Sequence, residues 1–354
     1  MTPEETPLLH GGSAAGGAGT AAAAPGSSPT PLRHLPRLPQ NIGHRGYKAA
    51  FPENTMAAFR GALAAGPTPR DRRPLDPTLK RCFGLDAKIA DCDWAYLRTL
   101  QTLQEPRQGM PRLADLLERA GQGREAVWVL LDVKTDDDPE LLLPAIARTI
   151  AGVSVGGGGG GRGWKERVVV GGWNENYINH ARLHLPGYPL AYIGFSLLYA
   201  RRFLSDDHPD VHFNLLQATL VGPLGARFRR EARKRGRRLF VWTVNDEGWM
   251  EWCVKKGVDG VITDQVGRYR EVRDRFGSST TGPYGSGGDV VLTRREGQGQ
   301  GIAWPRKVRL YGKAILLQAL AALFSLLFWH RLSTRGGGKG KGKGKGNLAP
   351  PAKT

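Results

Sequence analysis

Residues 42–59 read Ile42-Gly43-His44-Arg45-Gly46-Tyr47-Lys48-Ala49-Ala50-Phe51-Pro52-Glu53-Asn54-Thr55-Met56-Ala57-Ala58-Phe59. Asn41-Ile42-Gly43 is a short apolar lead-in of strand type. An irregular loop follows and closes at Pro52-Glu53-Asn54-Thr55. A helix is predicted from there. Asn54 or Thr55 can accept the unpaired N–H groups of a first turn, and Met56, Phe59, Leu63 and Ala64 recur at helical spacing. A His–Arg pair therefore stands where a strand hands over to a helix, the place where α/β proteins position ligand-facing polar groups. Taken alone, the pair reads as a solvated turn.

Outward from this stretch the chain alternates strands and helices. Val127 to Lys134 (VWVLLDVK) is almost continuously apolar, as a strand buried on both faces must be. Asp132 and Lys134 share one side of it, because alternate residues share a face. A helix is predicted from Pro139 to Ile150. Strands follow at 167–172, 190–195, 212–216, 238–244 and 260–263, separated by predicted helices that include 224–235 and 249–256. This order implies a parallel sheet. One stretch breaks the pattern. Pro67 to Leu75 is Pro-rich and charged, lacks period-2 alternation, and is predicted not to be a strand.

Three motifs occur in order across residues 41–272. They are HRG with PENT and its Ala/Phe-rich helix, WTVN at Trp242 to Asn245, and GVDGVITD at Gly257 to Asp264. Together they resemble the glycerophosphodiester phosphodiesterase family. The resemblance implies an α/β, TIM-barrel-like fold of the PLC-like phosphodiesterase type. It also implies hydrolysis of a phosphodiester by two His residues and a divalent cation, Mg²⁺ or Ca²⁺, held by a Glu-x-Asp pair and a third acid. Carried onto this sequence, His44 is one acid/base and Arg45 a phosphate or site-organising cation. Asp132 is the third metal ligand and Lys134 a phosphate contact. Trp242 and Asn245 line the pocket. Glu53 organises the first loop, with metal ligation as its alternative. The Glu-x-Asp pair has no counterpart, and Leu75 stands where the second His is expected, ahead of Asp76-Pro77-Thr78-Leu79. About two strands, the second and third, are accordingly expected to be missing or truncated.

The chain has 354 residues and a net charge of +19. Much of that charge lies in one tail, since residues 302–354 carry eleven Lys/Arg and no Asp or Glu. Basic residues around an apolar run point to an anionic membrane surface rather than to nucleic acid. Ala314 to Trp329 (AILLQALAALFSLLFW) is uncharged, and at ~1.5 Å per residue it falls a little short of a ~30 Å hydrocarbon core. A C-terminal membrane helix is expected there, either spanning or lying in one leaflet. The expected organisation is a disordered arm (1–40), a barrel (41–272), a flexible linker (273–303), a hydrophobic membrane segment (304–332) and a Gly/Lys-rich tail (333–354). Three Cys without metal-ligand spacing suggest a reducing compartment. The composite resembles the fungal membrane-anchored phosphatidylglycerol phospholipase C branch of the family. That resemblance implies a glycerophospholipid substrate cleaved at an intracellular membrane, with the barrel facing the cytosol. The alternative is a catalytically impaired or incomplete version that binds lipid at most.

Overall fold

The computed structural model describes residues 38–65, 70–72, 78–122, 127–155, 163–278, 292–294, 308–309, 311–321 and 323. Eight strands close into one barrel. They are β1 (Gln40–Gly43), β2 (Arg70–Arg72), β3 (Val129–Val133), β4 (Val168–Gly172), β5 (Leu190–Gly194), β6 (Val211–Leu216), β7 (Leu239–Trp242) and β8 (Gly260–Thr263). Every neighbouring pair is parallel. Helix α1 (Met56–Ala64) follows β1, and α2 (Lys80–Phe83), α3 (Trp94–Leu97) and α4 (Leu113–Gly121) fill the connection from β2 to β3. The outer layer continues with α5 (Pro139–Ala151), α6 (Trp164–Arg167), α7 (Glu175–His184), α8 (Leu197–Ala200), α9 (Gly222–Lys234), α10 (Glu247–Lys256) and α11 (Val266–Asp274).

The strands are apolar on both faces because they have two cores to fill. Ile42, Trp128, Leu130, Val169, Ala191, Phe240 and Ile262 pack together inside the barrel. The alternate residues Val129, Leu131, Val133, Val168 and Val170 join the larger cluster shared with the helices. Asp132 falls on the same alternation as Leu130 and so belongs to the interior side of β3.

The expectation of about two missing strands is corrected. Arg70–Arg72 is a strand, lying within the stretch from which none was predicted. It pairs with β1 at Gly43 and with β3 from Val129 to Leu131, and it completes the ring. Pairing needs backbone groups only. Three residues are too few to display an alternating pattern. The DPTL remnant serves a different purpose. Leu79 is fully buried with Phe83 and Leu97 in a small core of its own, joined by Ile89, Leu100 and Met110.

Of the expected membrane segment, residues 304–307, 310, 322 and 324–332 lie outside the described residues. Among the described residues, no helix is long and apolar enough to cross a membrane. Residues 311–321 are helical and rest on the barrel. Ala314 is 1% exposed. The Gln318 side chain donates to the carbonyls of Ala218 and Val221, each at 2.7 Å, and the Tyr311 ring lies 5.6 Å from that of Trp249. An apolar run in sequence does not reveal that one of its lines, small at Ala314 and polar at Gln318, already has a partner. The arm at 1–37 and the end of the segment and tail at 324–354 lie outside the described residues, as does most of the linker.

Candidate functional site at the C-terminal end of the barrel

The residue after β1 is His44 and the residue after β8 is Asp264. These strands are neighbours, with Gly43 level with Thr263, so the two side chains meet. His44 Nδ1 and Asp264 Oδ1 are 2.7 Å apart. A carboxylate there fixes the imidazole proton on Nδ1 and makes Nε2 the basic nitrogen. Asp264 is itself held. Asn245, just beyond β7, donates to its other oxygen at 2.7 Å. The Asn245 side-chain oxygen, Oδ1, accepts from the Asp264 backbone N–H and the Thr263 hydroxyl. Burial would raise the Asp264 carboxyl, but hydrogen bonds from His44 and Asn245 and the charges of His44 and Lys48 outweigh it and hold it below the usual carboxylate range.

A second group forms at the ends of β3 and β4. Asp132 is buried and accepts from Lys134 Nζ at 3.0 Å and from the Trp173 indole N–H at 2.7 Å. The Lys134 ammonium lies 4.1 Å from the Trp173 ring centre. Trp173 packs edge-on against Trp242, centroids 5.7 Å apart, and Trp242 donates to the Asn214 carbonyl. An aromatic wall thus carries one ammonium, at the same end of the barrel as His44.

Arg45 is expected as a phosphate contact or a site-organising cation. Its guanidinium pairs with Glu53, and Arg81 of α2 pairs with the same carboxylate oxygen. Lys48 lies 3.3 Å from the other oxygen. Burial alone would raise the Glu53 carboxyl. Hydrogen bonds and charge from Arg81 and Arg45 override that and bring it down to about 2. Glu53 therefore ties the first loop to the segment between β2 and β3. The loop is tightly turned, with Arg45 and Asn54 at positive φ of 60° and 57°. Gly46 has a φ of +83°, and a Cβ there would come within 2.7 Å of Ala58. Gly46→Ala is expected to destabilise the fold by about 1–2 kcal/mol from the left-handed backbone and a further ~1–3 kcal/mol from overpacking against α1. Urea denaturation of the two proteins measures it.

These residues do not fit the divalent cation that the sequence resemblance implies. Among the described residues, no three His, Cys, Asp or Glu side chains converge as ligands. Hard cations take several oxygens at once. Asp132 already has an ammonium and an indole donor, and Glu53 has three cationic partners, so a dication at either would displace or oppose existing positive charge. The expectation that Asp132 holds a metal, and the alternative that Glu53 does, are not matched by the described residues. Sequence reasoning also passed over Asp264, Trp173 and Arg81. The first two directly follow β8 and β4, a position that marks them as rim residues; Arg81, in a four-residue helix, carried no such signal.

The sequence model of the glycerophosphoryl diester phosphodiesterase family matches residues 75–268, more than half of the chain. The chain belongs to this family. His44, β1 and β2 lie ahead of the matched region, and the two strands complete the barrel. A glycerophosphodiester phosphodiesterase of Caldanaerobacter subterraneus is 24% identical over 250 residues, covering 63% of this chain and 93% of its own. Solved structures share the fold. The glycerophosphodiester phosphodiesterase of Agrobacterium tumefaciens aligns with a TM-score of 0.53 at 18% identity, over 66% of this chain and 100% of its own. An Oleispira antarctica phosphodiesterase, solved with the product sn-glycerol-3-phosphate, aligns at 0.54 and 17% identity, over 67% of this chain and 97% of its own.

Proposed function

We propose that the chain hydrolyses a glycerophosphodiester whose phosphate sits at the C-terminal end of the barrel, between His44 and Lys134. The observation that carries this reading is the His44–Asp264 pair, a histidine oriented by a carboxylate at the strand exit where family substrates are expected. His44 Nε2 takes the proton of an attacking water, and Asp264 stabilises the imidazolium that forms. The Lys134 ammonium offsets charge on the phosphoryl oxygens. Trp173 and Trp242 provide an apolar wall for the glycerol carbons. The P–O bond to the leaving alcohol breaks, and its oxygen takes a proton from solvent. No step uses a metal ion. The substrate in this reading is a membrane glycerophospholipid of the phosphatidylglycerol class, cut to diacylglycerol and glycerol phosphate. The place of action is an intracellular membrane with the barrel on its cytosolic side.

The test is release of glycerol phosphate from soluble glycerophosphodiesters and from phosphatidylglycerol in detergent, with and without EDTA. Turnover that EDTA leaves within about twofold is the expected result. Turnover abolished by EDTA and restored by Mg²⁺ or Ca²⁺ would sink the metal-free mechanism. A second reading, binding without cleavage, is favoured by one observation: both carboxylates in metal-ligand positions are taken up by cationic partners. It predicts glycerol 3-phosphate binding by calorimetry with no release from any diester.

A further inference from the structure

A group of exposed apolar side chains lies at one sector of the barrel. In a parallel barrel, each strand-to-helix connection lies at the C-terminal end, where the site is. Leu198 of α8 follows β5, and Leu224 lies in the first turn of α9 after β6. They are 57% and 73% exposed. Residues 311–321 cross the connections that follow β6 and β7, held by Gln318 to Ala218 and Val221 and by Tyr311 to Trp249. Ala314 and Gln318 face the barrel, and the opposite side of the helix presents Ile315, Leu316 and Leu320, each more than half exposed. These features occupy the β5–β7 sector, beside Trp242 at the end of β7.

We propose that this sector is a docking surface for an anionic lipid bilayer, with helix 311–321 lying flat in the interface. Charge selects the occupant. A groove of about 490 Å³ between α8 and α9 has an apolar floor of Leu204 and Phe228, with Leu198, Leu224, Arg201 and Arg227 around it; its one acidic lining residue, Glu231, is paired with Arg235. Arg201, Arg227, Arg309 and Lys313 are all exposed. Apolar side chains ringed by basic ones match the interior and the headgroups of an anionic leaflet. A second copy of the chain would set like charges against each other. Docked this way, the bilayer borders the mouth that holds His44 and Lys134. The surface deepens the proposed lipid phosphodiesterase reading and rests on it only for its purpose, since bilayer binding requires no turnover.

The full chain is sedimented with phosphatidylcholine vesicles, with and without phosphatidylglycerol. Binding is expected to need phosphatidylglycerol and to weaken as salt rises. Leu224→Asp, Leu316→Asp and Leu320→Asp are each expected to lower the partition coefficient about tenfold. Hydrolysis of a soluble glycerophosphodiester and the circular dichroism spectrum stay unchanged. Leu183→Asp is the control, because Leu183 is 69% exposed but lies in the last turn of α7, at the opposite end. Equal losses for Leu183→Asp, or wild-type binding by the three rim variants, overturn the proposal. So does loss of self-association in the rim variants of a chain that ignores vesicles. Vesicle binding by a chain that cleaves nothing leaves the docking surface standing and removes only the catalytic reading.

Discussion

His44→Ala is expected to lower kcat/KM for a soluble glycerophosphodiester by about 10²–10⁴-fold, the usual contribution of one positioned proton-transfer group. The loss should fall mainly on kcat, since Lys134 and the Trp173–Trp242 wall remain to bind the substrate. Asp264→Asn tests the same arrangement from behind. An amide can still hydrogen-bond Nδ1 and Asn245, but it cannot stabilise the imidazolium and permits the wrong tautomer. A loss of roughly 10–100-fold is expected there, with the fold intact by circular dichroism. Steady-state kinetics on the three proteins decides the matter. A His44→Ala protein that keeps half its activity would show that the chemistry lies elsewhere.

Most of the barrel was legible because its strands pack on both sides. β3 to β8 must be apolar at nearly every position, and that signature is independent of tertiary detail. β2 has three residues, too few for any pattern, and its pairing is a backbone matter. The site was legible wherever a polar residue interrupts or directly follows a strand, as His44, Asp132 and Lys134 do. Asp264 and Trp173 satisfy the same rule, but strand order had to be known before their partners could be seen. Asp264 matters because β8 closes onto β1. Arg45 carries two expected roles by resemblance, phosphate contact and site-organising cation. Its pairing with Glu53 goes with left-handed backbone at Arg45 and Asn54 that the sequence does not reveal. The C-terminal run was readable as apolar, but the line of Ala314 and Gln318 along it acquires meaning only against the carbonyls of Ala218 and Val221.

Glu53→Gln is expected to cost about 3 kcal/mol of stability at pH 7, the lower end of the range for breaking a buried ion pair. The Glu53 side chain is 5% exposed, and three cations, Arg45, Lys48 and Arg81, converge on it. Glutamine leaves them facing one another around a neutral group. Arg81 and Lys48 are partly exposed and can turn into water, which keeps the cost at the lower end. Proton linkage yields the same size. The folded-state carboxyl lies at about 2, against an ordinary value of 4.5, a difference worth roughly 3 kcal/mol at the standard conversion. A depressed carboxyl contributes stability that is fully present above its unfolded value. That contribution is therefore complete at neutral pH, begins to fade as pH drops past 4.5, and is gone once it nears 2. Urea midpoints at pH 7 and pH 3 should consequently converge, with the wild-type protein losing most of its advantage over Glu53→Gln in acid. Parallel curves for the two proteins across that interval would mean that the cluster stores no such energy. The first loop, and His44 with it, would then have to be held by the Gly46 turn and the cap at Thr55.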